Sequence, residues 1–202
     1  VSGLWFWSRD QNRTTSGDTD EDEYTFIGAP IIKGFDQRGK ALKDAMRETF
    51  LEFFESNKVG KPIEGVLHFA ALKAVEDSLN NPLRYWDINV KGSINLLNVM
   101  HMNDCRTIVF SSSATIYKSS NGKLIDESSL IEPSNPYGST KFVIEHLLNE
   151  INNSRPDKWR IVNLRYFNPI GAHPSGLIGE CPVGKPSNIF PAMIRAASGQ
   201  SK

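Results

Sequence analysis

The stretch "TIVFSSSA" at residues 107–114 is a run of apolar and β-branched residues that stops abruptly in serines. It reads as a buried strand whose C-terminal end opens into a loop. Two similar runs flank it, "GVLHFAA" at 65–71 and "WRIVNLRYF" at 159–167. Between the first two lies "PLRYWDINVKGSINLLNVMHM", with helical spacing through Trp86, Val90, Ile94, Leu97 and His101. Between the second and third lies "NPYGSTKFVIEHLLNE", continuing to Ile151, with Val143, Ile144, Leu147, Leu148 and Ile151 on one face. Strand, helix, strand, helix, strand predicts an α/β fold: a doubly wound, mainly parallel sheet with helices on both faces.

Further elements fit that plan. "KALKDAMRETFLEFF" spaces Leu42, Ala45, Met46, Thr49, Phe50 and Phe53 as a helix. "IFPAMIRAA" reads as another, with Pro191 near its first turn. Ser119 to Asn135 and residues 168–188 read as loop. Residues 1–34 are poorly specified: "VSGLWFWSRD" has no basic lead for a signal peptide, "SGDTDEDE" reads as a solvated acidic run, and "YTFIGAPIIKG" is a possible strand.

The bulk properties narrow the function. The 202 residues carry 23 lysines plus arginines and 23 acids, so zero net charge gives no whole-chain attraction to nucleic acid or to an anionic membrane. No apolar run approaches the roughly 20 residues of a membrane helix. Cys105 and Cys181 match no zinc or disulfide framework, and read as reduced thiols of a cytoplasmic protein. His68, His101, His146 and His173 show no paired-ligand spacing, so no metal site is expected.

In a sheet of this type ligands bind beyond the C-terminal ends of the strands. Phe69 to Lys73, Ser111 to Thr115 and Tyr166 to Asn168 fall there. Tyr137 and Lys141, at i and i+4, share a face at the mouth of the helix that follows. A phenol ordinarily ionises near pH 10, and a neighbouring cation favours the phenolate. A tyrosine tuned in this way acts as a general base on an alcohol, and a strand-end serine can hydrogen-bond the reacting oxygen.

The strings "HFAALKAV", "NVKGSINLL", "FSSSATIY", "NPYGSTK" and "LRYFNPIGAHPSG" come in an order and spacing that resemble the UDP-glucose 4-epimerases of the extended short-chain dehydrogenase/reductase superfamily. The resemblance runs from about Phe35 to Ser198. It implies a Rossmann-like sheet, NAD as cofactor, UDP-galactose and UDP-glucose as substrates, and a homodimer through helices 83–102 and 137–151. It implies Tyr137 as base, Lys141 as its tuning cation and ribose contact, and Ser113 as the assisting hydroxyl. Asp36, Phe69, Lys73, Asn89 and Tyr166 are implied cofactor contacts. Ser113, Ala114, Thr115, Tyr166, Phe167, Asn168, Ser187, Asn188 and Ile189 are implied substrate contacts. The implied division is a segment 1–34, an NAD-binding domain 35–168 bearing the catalytic residues, and the start of a substrate-binding portion at 169–202.

The chain departs from that pattern in one respect. The family's G-x-x-G-x-x-G turn should follow a first strand and hold the pyrophosphate at a helix N-terminus. Residues 1–34 contain only Gly3, Gly17, Gly28 and Gly34. The chain therefore looks like an internal part of an epimerase, incomplete at both ends. Two alternatives stay open: another nucleotide-sugar epimerase or dehydratase, and a truncated relative that does not turn over. Ala114 and Thr115 stand where the dehydratases carry acids beside the serine/threonine, which argues against a dehydratase.

Overall fold

The computed structural model describes residues 4–9 and 24–29 as backbone, and 63–119, 122, 124–155, 158–171, 174–175 and 189–199 in full. The expected helix near 40–53 lies outside the described residues. The chain divides into two compact units, Val1–Arg165 and Tyr166–Lys202.

The first unit is built on a five-stranded sheet in the order β2-β1-β3-β4-β5. Its strands are β1 (Leu4–Arg9), β2 (Tyr24–Ala29), β3 (Gly65–His68), β4 (Thr107–Ser113) and β5 (Arg160–Tyr166), the last running up to the boundary. β3 and β4 pair in parallel, Gly65 opposite Thr107 and His68 opposite Phe110. The helices are α1 (Val75–Asn80), α2 (Pro82–Tyr85), a π-helical stretch Trp86–Lys91, α3 (Gly92–Met102) and α4 (Pro136–Ser154). Successive right-handed crossovers moving one way along a sheet bring α3 and α4 to the same side, where they share one core. Val66, Ile108 and Phe110 of the strands pack there with Leu96, Val99 and Met100 of α3 and Ile144 and Leu148 of α4. Cys105 lies in this core, and burial pushes its thiol up to about 12, so it is a packing group at neutral pH.

The expected parallel pairing holds for β3 and β4, and β1, antiparallel to both β2 and β3, adds an antiparallel edge to it. An antiparallel edge on a parallel sheet needs no crossover helix, and the aromatic, β-favouring "LWFWSR" suits it. The buried face of 82–102 differs from the predicted stripe. Trp86 and Ile94 are 38% and 40% exposed, whereas Tyr85, Ile88, Asn89, Ser93, Leu96 and Met100 are buried. The buried positions keep helical spacing but lie about one residue round from the predicted stripe, because polar Asn89 and Ser93 are held inside by hydrogen bonds to the Leu72 backbone and to His68.

The second unit contains α5 (Ile189–Ala197), with Pro191 in its first turn as expected. It ends at Gly199, whose φ of 72° is the left-handed conformation that closes helices and that glycine adopts freely. No helix among the described residues is long and apolar enough to cross a membrane.

Candidate active site

α4 starts because Asn135 caps it: the side-chain oxygen accepts from the Gly138 amide at 2.8 Å, and Pro136 occupies the first turn. This start places Tyr137 and Lys141 one turn apart beside the end of β4. Both are buried, at 9% and 2% exposure. Gly138 allows the approach. A Cβ there would lie 2.6 Å from the Thr115 carbonyl oxygen and 3.1 Å from Pro133 Cβ. The sequence offered that glycine inside "NPYGSTK", but only the fold shows why it is needed.

Lys141 is held by β4. Its Nζ donates to the Ser111 carbonyl at 2.6 Å and lies 4.7 Å from the Phe110 ring centroid and 5.9 Å from that of Tyr137. Burial drives its pKa down to about 7, partly opposed by the negative charge of Glu145. The ammonium also acts on His68 at the end of β3. Burial first, and Lys141 second, bring that imidazole down to about 3.

The proton on His68 can be placed. Ser93 Oγ donates its hydrogen to the Asn89 carbonyl at 2.6 Å, so it must accept from His68 Nε2 at 2.8 Å. His68 Nδ1 is then bare and buried. Ser112 Oγ, between the two functional serines, is likewise buried without a partner among the described residues.

Ser113 sits at the end of β4 and is itself positioned. Its Oγ accepts from the Thr115 amide at 3.2 Å and from the Thr115 hydroxyl at 3.0 Å. Its own proton is thereby left for Tyr137, and this hydrogen bond favours the phenolate. Burial nevertheless dominates, and Tyr137 lies above its ordinary value rather than below it. The expectation that the neighbouring lysine would bring it toward neutrality is thus corrected: the loss of solvent outweighs the local hydrogen bond.

Asn89, in the π-helical stretch, ties three segments together. Its Oδ1 accepts from the Leu72 amide at 2.8 Å, and its Nδ2 donates to the Leu72 carbonyl at 3.0 Å. The same Nδ2 donates to Thr140 Oγ1 at 3.1 Å, and Thr140 donates to the Tyr137 carbonyl at 2.7 Å. Leu72 follows Phe69, which is half-buried at the end of β3, and precedes Lys73, which is exposed. The structure thus gathers Ser113, Thr115, Tyr137, Lys141 and Asn89 around the ends of β3 and β4. Ala114 lies among them in the turn after β4.

Other expected residues are not among those gathered here. Asp36, Ser187 and Asn188 lie outside the described residues. Tyr166, Phe167, Asn168 and Ile189 belong to the second unit, where Phe167 and Ile189 are exposed. Thr140, Gly138, His68 and Glu145 were not anticipated. Their signal is tertiary: each matters through a neighbour distant in sequence.

The described residues fit the nicotinamide-ribose end of a dinucleotide. A buried ammonium, a phenol and unpartnered polar atoms converge at the C-terminal edge of parallel strands. They do not supply a pyrophosphate cradle. The strand beside β3 is antiparallel β1, whose C-terminal end Arg9 lies toward the opposite edge, so no phosphate-holding turn opens from it here.

Comparison with known proteins agrees with this geometry. A protein from Schizosaccharomyces pombe, "Bifunctional protein gal10", is 48% identical over 158 residues, covering 76% of this chain and 22% of that protein. "UDP-glucose 4-epimerase 2" of Oryza sativa subsp. japonica is 47% identical over 137 residues, 68% of this chain and 33% of its own length. Among solved structures, the UDP-glucose 4-epimerase of Bifidobacterium longum in complex with NAD+ and UDP superposes with a TM-score of 0.69 at 40% identity. That match covers 77% of this chain and 45% of the other. The enzyme of Stenotrophomonas maltophila with bound NAD and formylated UDP-arabinopyranose gives 0.68 at 41% identity, over 79% and 45%. This chain thus spans less than half the length of each of these relatives. Residues 43–201 match the NAD dependent epimerase/dehydratase family across most of the chain, and it is to this family that the chain belongs.

Proposed function

We propose that this chain carries the catalytic centre of an NAD-dependent UDP-glucose 4-epimerase, which interconverts UDP-galactose and UDP-glucose by transient oxidation at sugar C4. The observation that supports it best is the single buried cluster in which Ser113 hydrogen-bonds Tyr137 while Lys141 is anchored on the Ser111 carbonyl. In this reading residues 35–168 form the cofactor-binding domain and 169–202 begin the substrate-binding portion.

NAD, when bound, supplies the hydride acceptor and donor and a second positive charge beside the phenol. The chain's own residues handle the proton. Tyr137 Oη takes it from the 4-hydroxyl and returns it. Ser113, fixed by its two bonds from Thr115, offers its hydrogen to the oxygen that carries the negative charge. Lys141 binds the ribose, while the Ser113 hydrogen bond opposes the burial that holds the phenol protonated. Phe69, Lys73 and Asn89 line the cofactor side. Tyr166 to Asn168 and Ser187 to Ile189 lead to the sugar nucleotide.

The reading extends to a cytoplasmic homodimer through helices 83–102 and 137–151. Exposed Leu83, Trp86 and Ile94 on the first of these support it, and light scattering on the purified protein checks it. A second reading, a relative that keeps the constellation without turnover, draws support from antiparallel β1 at the pyrophosphate side.

Conversion of UDP-galactose to UDP-glucose, with NAD supplied, decides between them. The epimerase reading expects product, and a loss of at least about 100-fold in Tyr137→Phe, as for removal of a general base. Equal rates in both proteins, or no product with folded protein and saturating NAD, would count against it.

A further inference from the structure

One buried charge has no part in the proton route described above. Glu145 lies one turn beyond Lys141 on α4, with its side chain only 7% exposed. Its carboxylate accepts from Arg165 Nε at 3.1 and 3.2 Å and from Arg165 Nη2 at 2.8 Å. The remaining nitrogen, Nη1, donates to the Tyr117 hydroxyl at 2.7 Å, and the guanidinium carbon lies 5.1 Å from the Tyr117 ring centroid. These partners hold the Arg165 guanidinium above even its ordinary range.

The location is informative. α4 carries Tyr137 and Lys141. Tyr117 ends the short turn that carries Ala114 and Thr115, and Thr115 orients Ser113. Arg165 is the last residue of β5 before Tyr166. Two segments bearing site residues, α4 and the turn after β4, therefore meet β5 at one guanidinium. A helix packing on a core has no need of a buried ion pair, since an apolar side chain of similar size serves as well or better. The groups that face Lys141 are the Glu145 carboxylate and the Tyr137 phenol from α4, His68 from β3, and the Ser111 carbonyl and Phe110 ring from β4. Among them Glu145 is the one whose charge favours the Lys141 ammonium.

We propose that Glu145 is a positioning residue of this site: its carboxylate, clamped by Arg165, sets the charge beside Lys141 and ties α4 to β5 and to the segment after β4. The inference rests on the reading of Lys141 and Tyr137 as site groups given above.

The test is a titration of the Lys141 Nζ resonance in 15N-lysine-labelled protein, with Lys141→Met identifying the signal. In the unmodified chain the midpoint is expected at about 7. Glu145→Gln is expected to lower it by about one pH unit, the size of a lost neighbouring opposite charge. A charge swap, Glu145→Arg with Arg165→Glu, restores an ion pair but inverts the sign beside Lys141. It is expected to keep the fold and lower the midpoint further. A midpoint unchanged in the folded swap overturns the proposal, whether or not Glu145→Gln folds. The readout needs neither NAD nor turnover. A protein that binds no NAD would therefore count against the epimerase reading, while the midpoint shift still decides the role of Glu145.

Discussion

Lys141 and His68 are both basic groups that the fold keeps away from water, and this fixes how stability must change with pH. Lys141 titrates at about 7 in the folded chain against 10.5 as a free side chain. Between those values the unfolded chain holds the extra proton, so stability rises with pH through that window. Below it the penalty is complete, on the order of 5 kcal/mol. His68 gives the same sign lower down: folded near 3 against 6.5, it removes stability as pH falls between those values. Urea titrations from pH 5 to pH 10 should show rising stability, and Lys141→Met should flatten the rise above pH 7. A pH-independent difference between the two proteins would contradict the assignment. At this scale Ser113, Tyr137 and Lys141 were legible because their relation is local or sits at a strand end. The direction of the Tyr137 shift was not, because burial is a property of the packed molecule. Thr115 as the orienter of Ser113, and Arg165 as the partner of Glu145, were equally hidden.

At the scale of elements, the site depends on how closely α4 meets the turn after β4. Gly138→Ala would drive a methyl against the Thr115 carbonyl, a backbone atom that cannot rotate away. We expect a loss of about 1–3 kcal/mol in stability, read as a lower thermal midpoint, together with weaker hydrogen bonding between Ser113 and Tyr137. A midpoint unchanged in Gly138→Ala would mean that the two segments are not held this tightly. Asn89 sets the other join. Asn89→Leu removes three hydrogen bonds and strands the Leu72 amide and carbonyl, so about 2–4 kcal/mol should be lost. Thermal melts check this too, and a stabilised variant would contradict it. β3, β4, α4 and α5 were readable from apolar runs and helical spacing. The helix through 82–102 was readable in extent but not in face, since the hydrogen bonds that draw polar Asn89 and Ser93 inside are made to Leu72 and His68, which helical spacing does not reveal. It is the Asn89 pairing with the Leu72 backbone, seventeen residues away in sequence, that accompanies the π-helical stretch.

For the whole molecule, the sheet order β3-β4-β5 follows from alternating strands and helices and the hand of their crossovers. The antiparallel strands β1 and β2 do not, because short aromatic runs fix that a strand forms but not its direction. In the proposed reading, Tyr137, Lys141 and Ser113 form the nicotinamide side of the cofactor site, and among the described residues the strand beside β3 runs antiparallel to it. The proposed reading therefore predicts NAD binding that is saturable and dependent on Lys141. The most direct measurement is an NAD titration of the purified chain by calorimetry at pH 7, with Lys141→Met alongside. Saturable binding near one NAD per chain, weakened by about tenfold or more in Lys141→Met, is the predicted result; tenfold corresponds to about 1.4 kcal/mol. No saturable binding at millimolar NAD, or binding that Lys141→Met leaves unchanged, would contradict it.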